Sequence, residues 1–455
     1  MSRQYDFTEG NLLKQIMFFS GPIMAANLLQ ASYQFADSLW VGNLLGAKAL
    51  GSVAISATLI FTVLSFVIGL NNAALTILSQ QKGRNDEAGL ARYLNAFVVT
   101  LSVIAVIMGV LGIVFAEHLL RLLGTPEQMM QDAALYLRIN FLGILFLIGY
   151  NFISTVLRAL GDSRTPLRFI GLAVILNIVL DPLFISGFGM GVAGAALATV
   201  LSQGLAFGYG VYHLVSKRLV PFPKIHIPAK QDVGLILNLG IPSGLQMAVI
   251  SAGIAAIMSV VASFGEPVVA GFGAAQRLDA LLMIPAQALG VAASSMAGQN
   301  IGAGNWLRIR QLAVYSVLYN FIIMMAIGLL IRFLAPYAIG LFLEPGVAAD
   351  FGTGYLQTIG LFYPFLGINF VLNGIVRASG AMYQVLALNV ISLWLLRYPF
   401  AAVFSGWYGS DGIAYGMGAS FLASSLFAFG YYCWGGWRKK ELFKRMKTAG
   451  EGKRK

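Results

Sequence analysis

The chain has 455 residues, of which 58% are hydrophobic and only 11% charged, against about 25% in soluble domains. With a mean hydropathy of +0.78, this composition excludes a soluble globular protein and defines an all-α polytopic membrane protein. The net charge of +12 suggests nucleic acid only if the placement of the charges is ignored, and the single Cys433 leaves no disulfide to staple the fold.

The chain opens on a polar segment of mixed charge, MSRQYDFTEGNLLKQ. It lacks the basic start, short apolar core and small-residue cleavage site of a signal peptide. Twelve apolar runs follow, each long enough for a bilayer, which takes about 20 residues. They cover 15–40, 50–78, 92–116, 132–157, 166–187, 190–215, 233–262, 269–297, 311–336, 351–376, 384–406 and 412–437. The sixth and seventh are joined by the longest polar linker, SKRLVPFPKIHIPAKQD, and the chain ends on RKKELFKRMKTAGEGKRK.

Basic residues orient the spans, because Lys and Arg accumulate on the cytoplasmic side. With the N-terminus inside, 24 of the 30 Lys and Arg fall in cytoplasmic segments, and only Lys48, Arg121 and Arg332 in outer loops. Both termini are therefore expected in the cytoplasm of a cell that carries the protein in its plasma or inner membrane. The basic tail is read as facing anionic lipid, so no nucleic-acid partner is expected.

The chain also repeats. A shift of 220 residues lays Pro22 on Pro242 and Gly51 on Gly271, and a shift of 219 lays VLRALG (156–161) on IVRASG (375–380). Two six-helix lobes follow, 1–220 and 221–455. Six crossings return the chain to its starting side, so the lobes are related by a pseudo-two-fold axis along the membrane normal, with a cavity between them.

Two carboxylates stand inside this apolar frame. Asp37 lies in the first run and Asp181 in the fifth, neither with Lys or Arg within a helical turn. A charge at membrane depth costs about 2.5–3.5 kcal/mol on insertion scales, so such residues are functional by default. At the 220 shift Asp37 falls on Ile257, and Asp181 falls near Tyr398 when Pro182 is set on Pro399. The asymmetry argues for an ion site in the first lobe alone. Asn177 shares a helix face with Asp181, four residues on, and Pro182 frees a backbone carbonyl and kinks the helix there. With Thr199 on the next helix, Asp37, Asn177 and Asp181 make a polar cluster. Two neighbouring carboxylates can hold and release a proton, and the same oxygens can take Na⁺. The competing reading is a hydrogen-bond network that ties helices together.

Pro22 is expected to break the first helix, either as a hinge or as a static kink. Tyr33, Gln34, Tyr136, Asn140 and Asn151 are candidates to line a substrate cavity. Arg277 and Asp279 do not share a helix face and are expected to pair with neighbouring helices, and Arg397 to sit at a helix end. No Walker A or HExxH sequence is present. His118, His213 and His226 are scattered, so neither an enzyme, a cofactor nor a metal site is expected. The acids stand in ADS and LDP, without the motifs of intramembrane aspartyl proteases.

The segments ADSLWVGNLLGAKALGSVAIS (36–56), VLRALGDSRTP (156–166), GVAGAALATVLSQ (191–203) and MAGQNIGAGN (296–305) resemble the multidrug and toxic compound extrusion (MATE) transporters, over nearly the whole chain. The resemblance implies a secondary active antiporter that exports lipophilic, cationic compounds in exchange for H⁺ or Na⁺ by alternating access, as a monomer in the bilayer. It matches Asp37 to the family's first-helix Asp, and Asn177, Asp181 and Thr199 to its N-lobe cluster. Pro22 matches its first-helix proline bend. The seventh and tenth helices lack the acids of the NorM-like branch, so the chain is more similar to the DinF-like branch, which favours H⁺. A lipid-linked precursor flippase of the same superfamily is the alternative, although such proteins often have fourteen helices and a more basic cavity.

Overall fold

A computed structural model of the chain describes residues 5–221 and 225–443. Among these residues there are helices and connecting turns, and no strand. The helices are α1 (Leu12–Leu45), α2 (Ala47–Gly83), α3 (Glu87–Leu122), α4 (Glu127–Leu142), α5 (Ile144–Ala159), α6 (Arg164–Pro182), α7 (Gly191–Ser216) and α8 (Lys230–Ala262). Then come α9 (Glu266–Leu282), α10 (Ile284–Gly302), α11 (Trp306–Ile339), α12 (Val347–Ile359), α13 (Tyr363–Ala378), α14 (Met382–Val390), α15 (Tyr398–Tyr408) and α16 (Gly412–Trp434).

Ten helical stretches are long and apolar enough to cross a membrane, and α4 with α5 makes an eleventh, bent by 51°. The last stretch, Met382–Lys439, doubles back at Gly409 (φ +64°), so that α15 packs along α16. That fold-back makes twelve crossings. Polar side chains set the starts of several helices. Asn11 accepts from the Lys14 amide at 3.0 Å, Asp86 from Gly89 at 2.8 Å and Asn305 from Arg308 at 3.2 Å, each satisfying an amide that the helix leaves unpaired.

Two expectations need correction. The fourth run is two helices, because the chain turns at Gly143. Pro22 does not break α1, which runs unbroken from Leu12 to Leu45. A proline removes one hydrogen bond of the ladder, and packing of α1 against α6 and α10 holds the rest. Pro182 behaves differently, since α6 ends there and widens into a π-helical turn, Leu183–Gly187.

The repeat is visible in the packing. Gly46 (φ +84°) and Gly265 (φ +91°), 219 residues apart, make the tight turns after α1 and α8. The halves meet along α2, which packs on α8 and α10. At the α2–α8 crossing a Cβ on Gly69 would lie 2.5 Å from Gly244 Cα and 2.7 Å from the Gly240 carbonyl, so only glycine allows the approach. Toward the end of the bundle that carries both described chain ends, the two halves exchange equivalent bonds. Gln80 Nε2 donates to the Ala378 carbonyl at 2.7 Å, and Gln299 Nε2 donates to the Ala159 carbonyl at 2.8 Å.

The chain ends reinforce this seal. The Tyr5 amide donates to the Gly161 carbonyl at 3.1 Å, and Phe7 is fully buried in the second half. Arg308 donates to the carbonyls of Phe7 (2.7 Å), Gly10 (2.9 Å) and Glu9 (2.6 Å) and to Gln15 Oε1 (3.0 Å). From the other chain end, the Phe443 ring packs 5.4 Å from Tyr93 of the first half, while Lys440 Nζ donates to the Gly380 carbonyl of its own half at 3.2 Å. Most of the basic tail, residues 444–455, lies outside the described residues, as do residues 1–4.

Candidate functional site

A cavity of about 500 Å³ opens inside the first half. All of its lining comes from residues 30–203, on α1, α2 and α4 to α7. Tyr33, Gln34 and Asp37 reach it from α1, Tyr136 and Asn140 from α4, and Thr199 from α7. Helical spacing explains the α1 contribution, because residues three and four apart share a face. The rest of the wall is largely aliphatic and aromatic, including Leu50, Val53, Phe61 and Ile144.

Behind this wall stand Asn177 and Asp181 of α6, both fully buried. Asn177 Nδ2 donates to Asp181 Oδ1 at 3.1 Å and to Thr199 Oγ1 at 3.5 Å, while Tyr33 OH donates to the same Thr199 oxygen at 3.2 Å. The carboxylates of Asp37 and Asp181 adjoin. Asp37 Oδ1, Asp181 Oδ2 and Asn177 Oδ1 are buried without a hydrogen-bond partner among the described residues. No Lys or Arg pairs with either acid there. Three orphaned oxygens on two acids and an amide form an acceptor-rich cradle. Buried charge of one sign is costly unless a proton or a cation comes with it.

All four cluster residues named from the sequence are therefore brought together, and Tyr33, Gln34, Tyr136 and Asn140 line the cavity beside them. Asn151 does not. It lies in a separate, smaller cavity, with its amide turned back to the Leu147 carbonyl at 2.8 Å. Ile144, Leu147 and Tyr150 of the same helix do line the main cavity, and Asn151, next to Tyr150, lines only the smaller one.

A polar cluster in the second half was not legible as such. Asp279 of α9 accepts from Tyr355 OH at 3.2 Å and also from Tyr363 OH. Arg397 is not at a helix end; it stands inside the span formed by α14 and α15, with its guanidinium 4.6 Å from the Phe421 ring. Arg277 lies 5.9 Å from the Phe342 ring. An arginine in the apolar run WLLRYPF was the available signal, but nothing local ties it to α9 or α12. Among the described residues no cluster of three or more His, Cys, Asp or Glu is placed to hold a metal ion.

A bundle of twelve membrane-crossing helices in two matching halves, with an apolar cavity beside a buried acid pair, defines a polytopic membrane transporter. The MatE family model matches residues 22–183 and, again, 242–403, and the chain belongs to that family. It is 58% identical over 441 residues to the "Probable multidrug resistance protein YpnP" of Bacillus subtilis, covering 97% of this chain and 99% of that one. It is 26% identical to the "Probable multidrug resistance protein NorM" of Thermotoga maritima, covering 95% and 94%. A solved structure of an outward-facing multidrug resistance MATE family transporter superposes with a TM-score of 0.88 at 24% identity, covering 94% and 96%. The chain is thus a multi-pass membrane transporter of the MatE family.

Proposed function

We propose that the chain is a secondary active antiporter of the DinF-like branch, which exports lipophilic cationic drugs or toxic metabolites in exchange for H⁺, by alternating access across the plasma or inner membrane. Both termini then face the cytoplasm. The observation that carries this reading is the Asp37–Asp181 pair, with its unpartnered oxygens beside the cavity. Asp37 stands at the cavity wall and Asp181 behind it, so a cationic substrate and a proton compete for one negative charge. Proton uptake at the pair discharges the site and releases the cation. Substrate rebinding from the other side displaces the proton. Pro22 sits about fifteen residues before Asp37 on α1, where a flexing helix would couple the acid's charge to the seal at the far end.

Na⁺ would use the same oxygens, since carboxylate, amide and hydroxyl oxygens are suitable hard ligands. The test is efflux of ethidium from proteoliposomes under an imposed pH gradient or an imposed Na⁺ gradient, with Asp37→Asn and Asp181→Asn alongside. The expected result is transport driven by the pH gradient alone and lost in both variants. Transport driven by Na⁺ alone would keep the site and overturn the ion. Full transport in both variants would remove the acids from the mechanism.

A further inference from the structure

Beneath the main cavity, toward the end of the bundle that carries both chain ends, lies a second cavity of about 140 Å³. It is lined by polar side chains, among them Asn71 and Asn72 of α2 and Asn151, Ser154 and Arg158 of α5, and is bounded by Val291 of the other half. Gln30 and Tyr150 line both cavities, and Gln30 Nε2 donates to Tyr150 OH at 3.1 Å. That bonded pair, together with Ile170, which also lines both, forms the partition between them.

Arg158 makes this cavity unusual. Its guanidinium has no ion pair and no side-chain hydrogen bond among the described residues, and its Nε is buried without a partner. The ionisable group beside it is the phenol of Tyr150, not an acid. Asn71 Oδ1 and Ser154 Oγ are also buried and unpartnered. Arg158 stands in the last turn of α5, where the carbonyls supply about half a negative charge. That is a fraction of what a desolvated guanidinium needs, since buried charges are normally paired. The repeat places Arg377 in the same position on α13, so a cation at this helix end belongs to the fold. What sets Arg158 apart is the polar cavity that it lines.

We propose that this cavity is an anion subsite, which holds the carboxylate of an amphoteric substrate while its cationic part lies at Asp37. Arg158 and Tyr150 are two turns apart on α5, about 12 Å along the axis, and helical side chains lean toward the N-terminus of their helix. The guanidinium therefore leans toward the Gln30–Tyr150 partition. Rotation of either side chain joins the two cavities into one elongated site, negative at one end and positive at the other. The planar fork of arginine suits a carboxylate, and the Ser154 hydroxyl adds a donor. The substrate class is then zwitterionic amphipathic compounds as well as simple cations. This assignment rests on the export reading above.

The test uses two dyes that differ by one carboxylate, rhodamine B and its ethyl ester. Binding to the purified full-length protein is read by fluorescence anisotropy, with transport into inside-out vesicles in parallel. Arg158→Gln is expected to weaken rhodamine B by about ten-fold, the loss of a charge-assisted pair, and to leave the ester within about two-fold. Arg158→Lys keeps the charge and is expected to restore most of the rhodamine B affinity. If Arg158→Gln does not fold, Ser154→Val is expected to weaken rhodamine B selectively, by about three-fold. Equal loss of both dyes, or an unchanged preference between them, overturns the anion subsite while ester transport by the wild type leaves the export reading standing. A wild type that neither binds nor moves either dye overturns both.

Discussion

Gly83→Ala tests how the halves are closed at the end that carries the termini. Gly83 ends α2 and lies against the backbone of Gln299 on α10. A Cβ built there overlaps the Gln299 carbonyl oxygen and sits 2.5 Å from its carbonyl carbon and 2.7 Å from its Cα. Ordinary contact begins at 3.4 Å, and the opposing atoms are backbone, so no rotamer change relieves the clash. The two helices must part by about 1 Å or more. Overpacking of this kind costs about 1–3 kcal/mol. The same displacement stretches the Gln80–Ala378 bond (2.7 Å) and the Gln299–Ala159 bond (2.8 Å) past hydrogen-bonding range, at about 0.5–1.5 kcal/mol each. The closed arrangement therefore loses about 2–6 kcal/mol relative to one in which the seal is open, a shift of about thirty-fold to roughly twenty-thousand-fold. Spin labels at Glu87→Cys and Leu307→Cys, in a Cys433→Ser background, report the separation by double electron–electron resonance. The expected result is a new population at longer distance and loss of dye export. An unchanged distance distribution with wild-type export would refute the argument, because it would mean that this contact is not what holds the halves together.

Two further perturbations follow from the same packing. Arg308→Ala removes four hydrogen bonds to the segment from Phe7 to Gln15; after discount for partial exposure, amide exchange over residues 5–11 should speed up by about ten- to a hundred-fold, and unchanged exchange would show that Phe7 alone anchors the segment. Asp279→Asn leaves one of the Tyr355 and Tyr363 hydroxyls without an acceptor, at about 1–3 kcal/mol, so the thermal midpoint of the purified protein should fall by several degrees while the choice between H⁺ and Na⁺ stays as in the wild type; a changed ion preference would bring Asp279 into the coupling machinery.

The buried acid cluster was legible because its signal is local. An acid in an apolar run needs a reason, Asn177 shares a face with Asp181 by spacing alone, and the absence of an acid at Ile257 follows from the repeat. The Asp279 cluster draws on α9, α12 and α13, and spacing cannot say which helix faces meet. Arg158 shows the same limit from the other side. By position it counts toward the basic segments that orient the chain, and nothing in VLRALG distinguishes a lipid-facing arginine from one turned into a polar cavity. The exchange of Gln80 and Gln299 lies between these cases. The repeat that pairs QQKG (80–83) with QNIG (299–302) is visible in the sequence. A residue related by pseudo-two-fold symmetry to its counterpart makes the same kind of contact, yet only the folded chain shows that the contact is made with the opposite half. Reciprocal bonds of this kind close both halves at once, so opening the seal breaks both. A transporter that must never be open at both ends gains from such a coupled closure, since loss of either bond loosens the other.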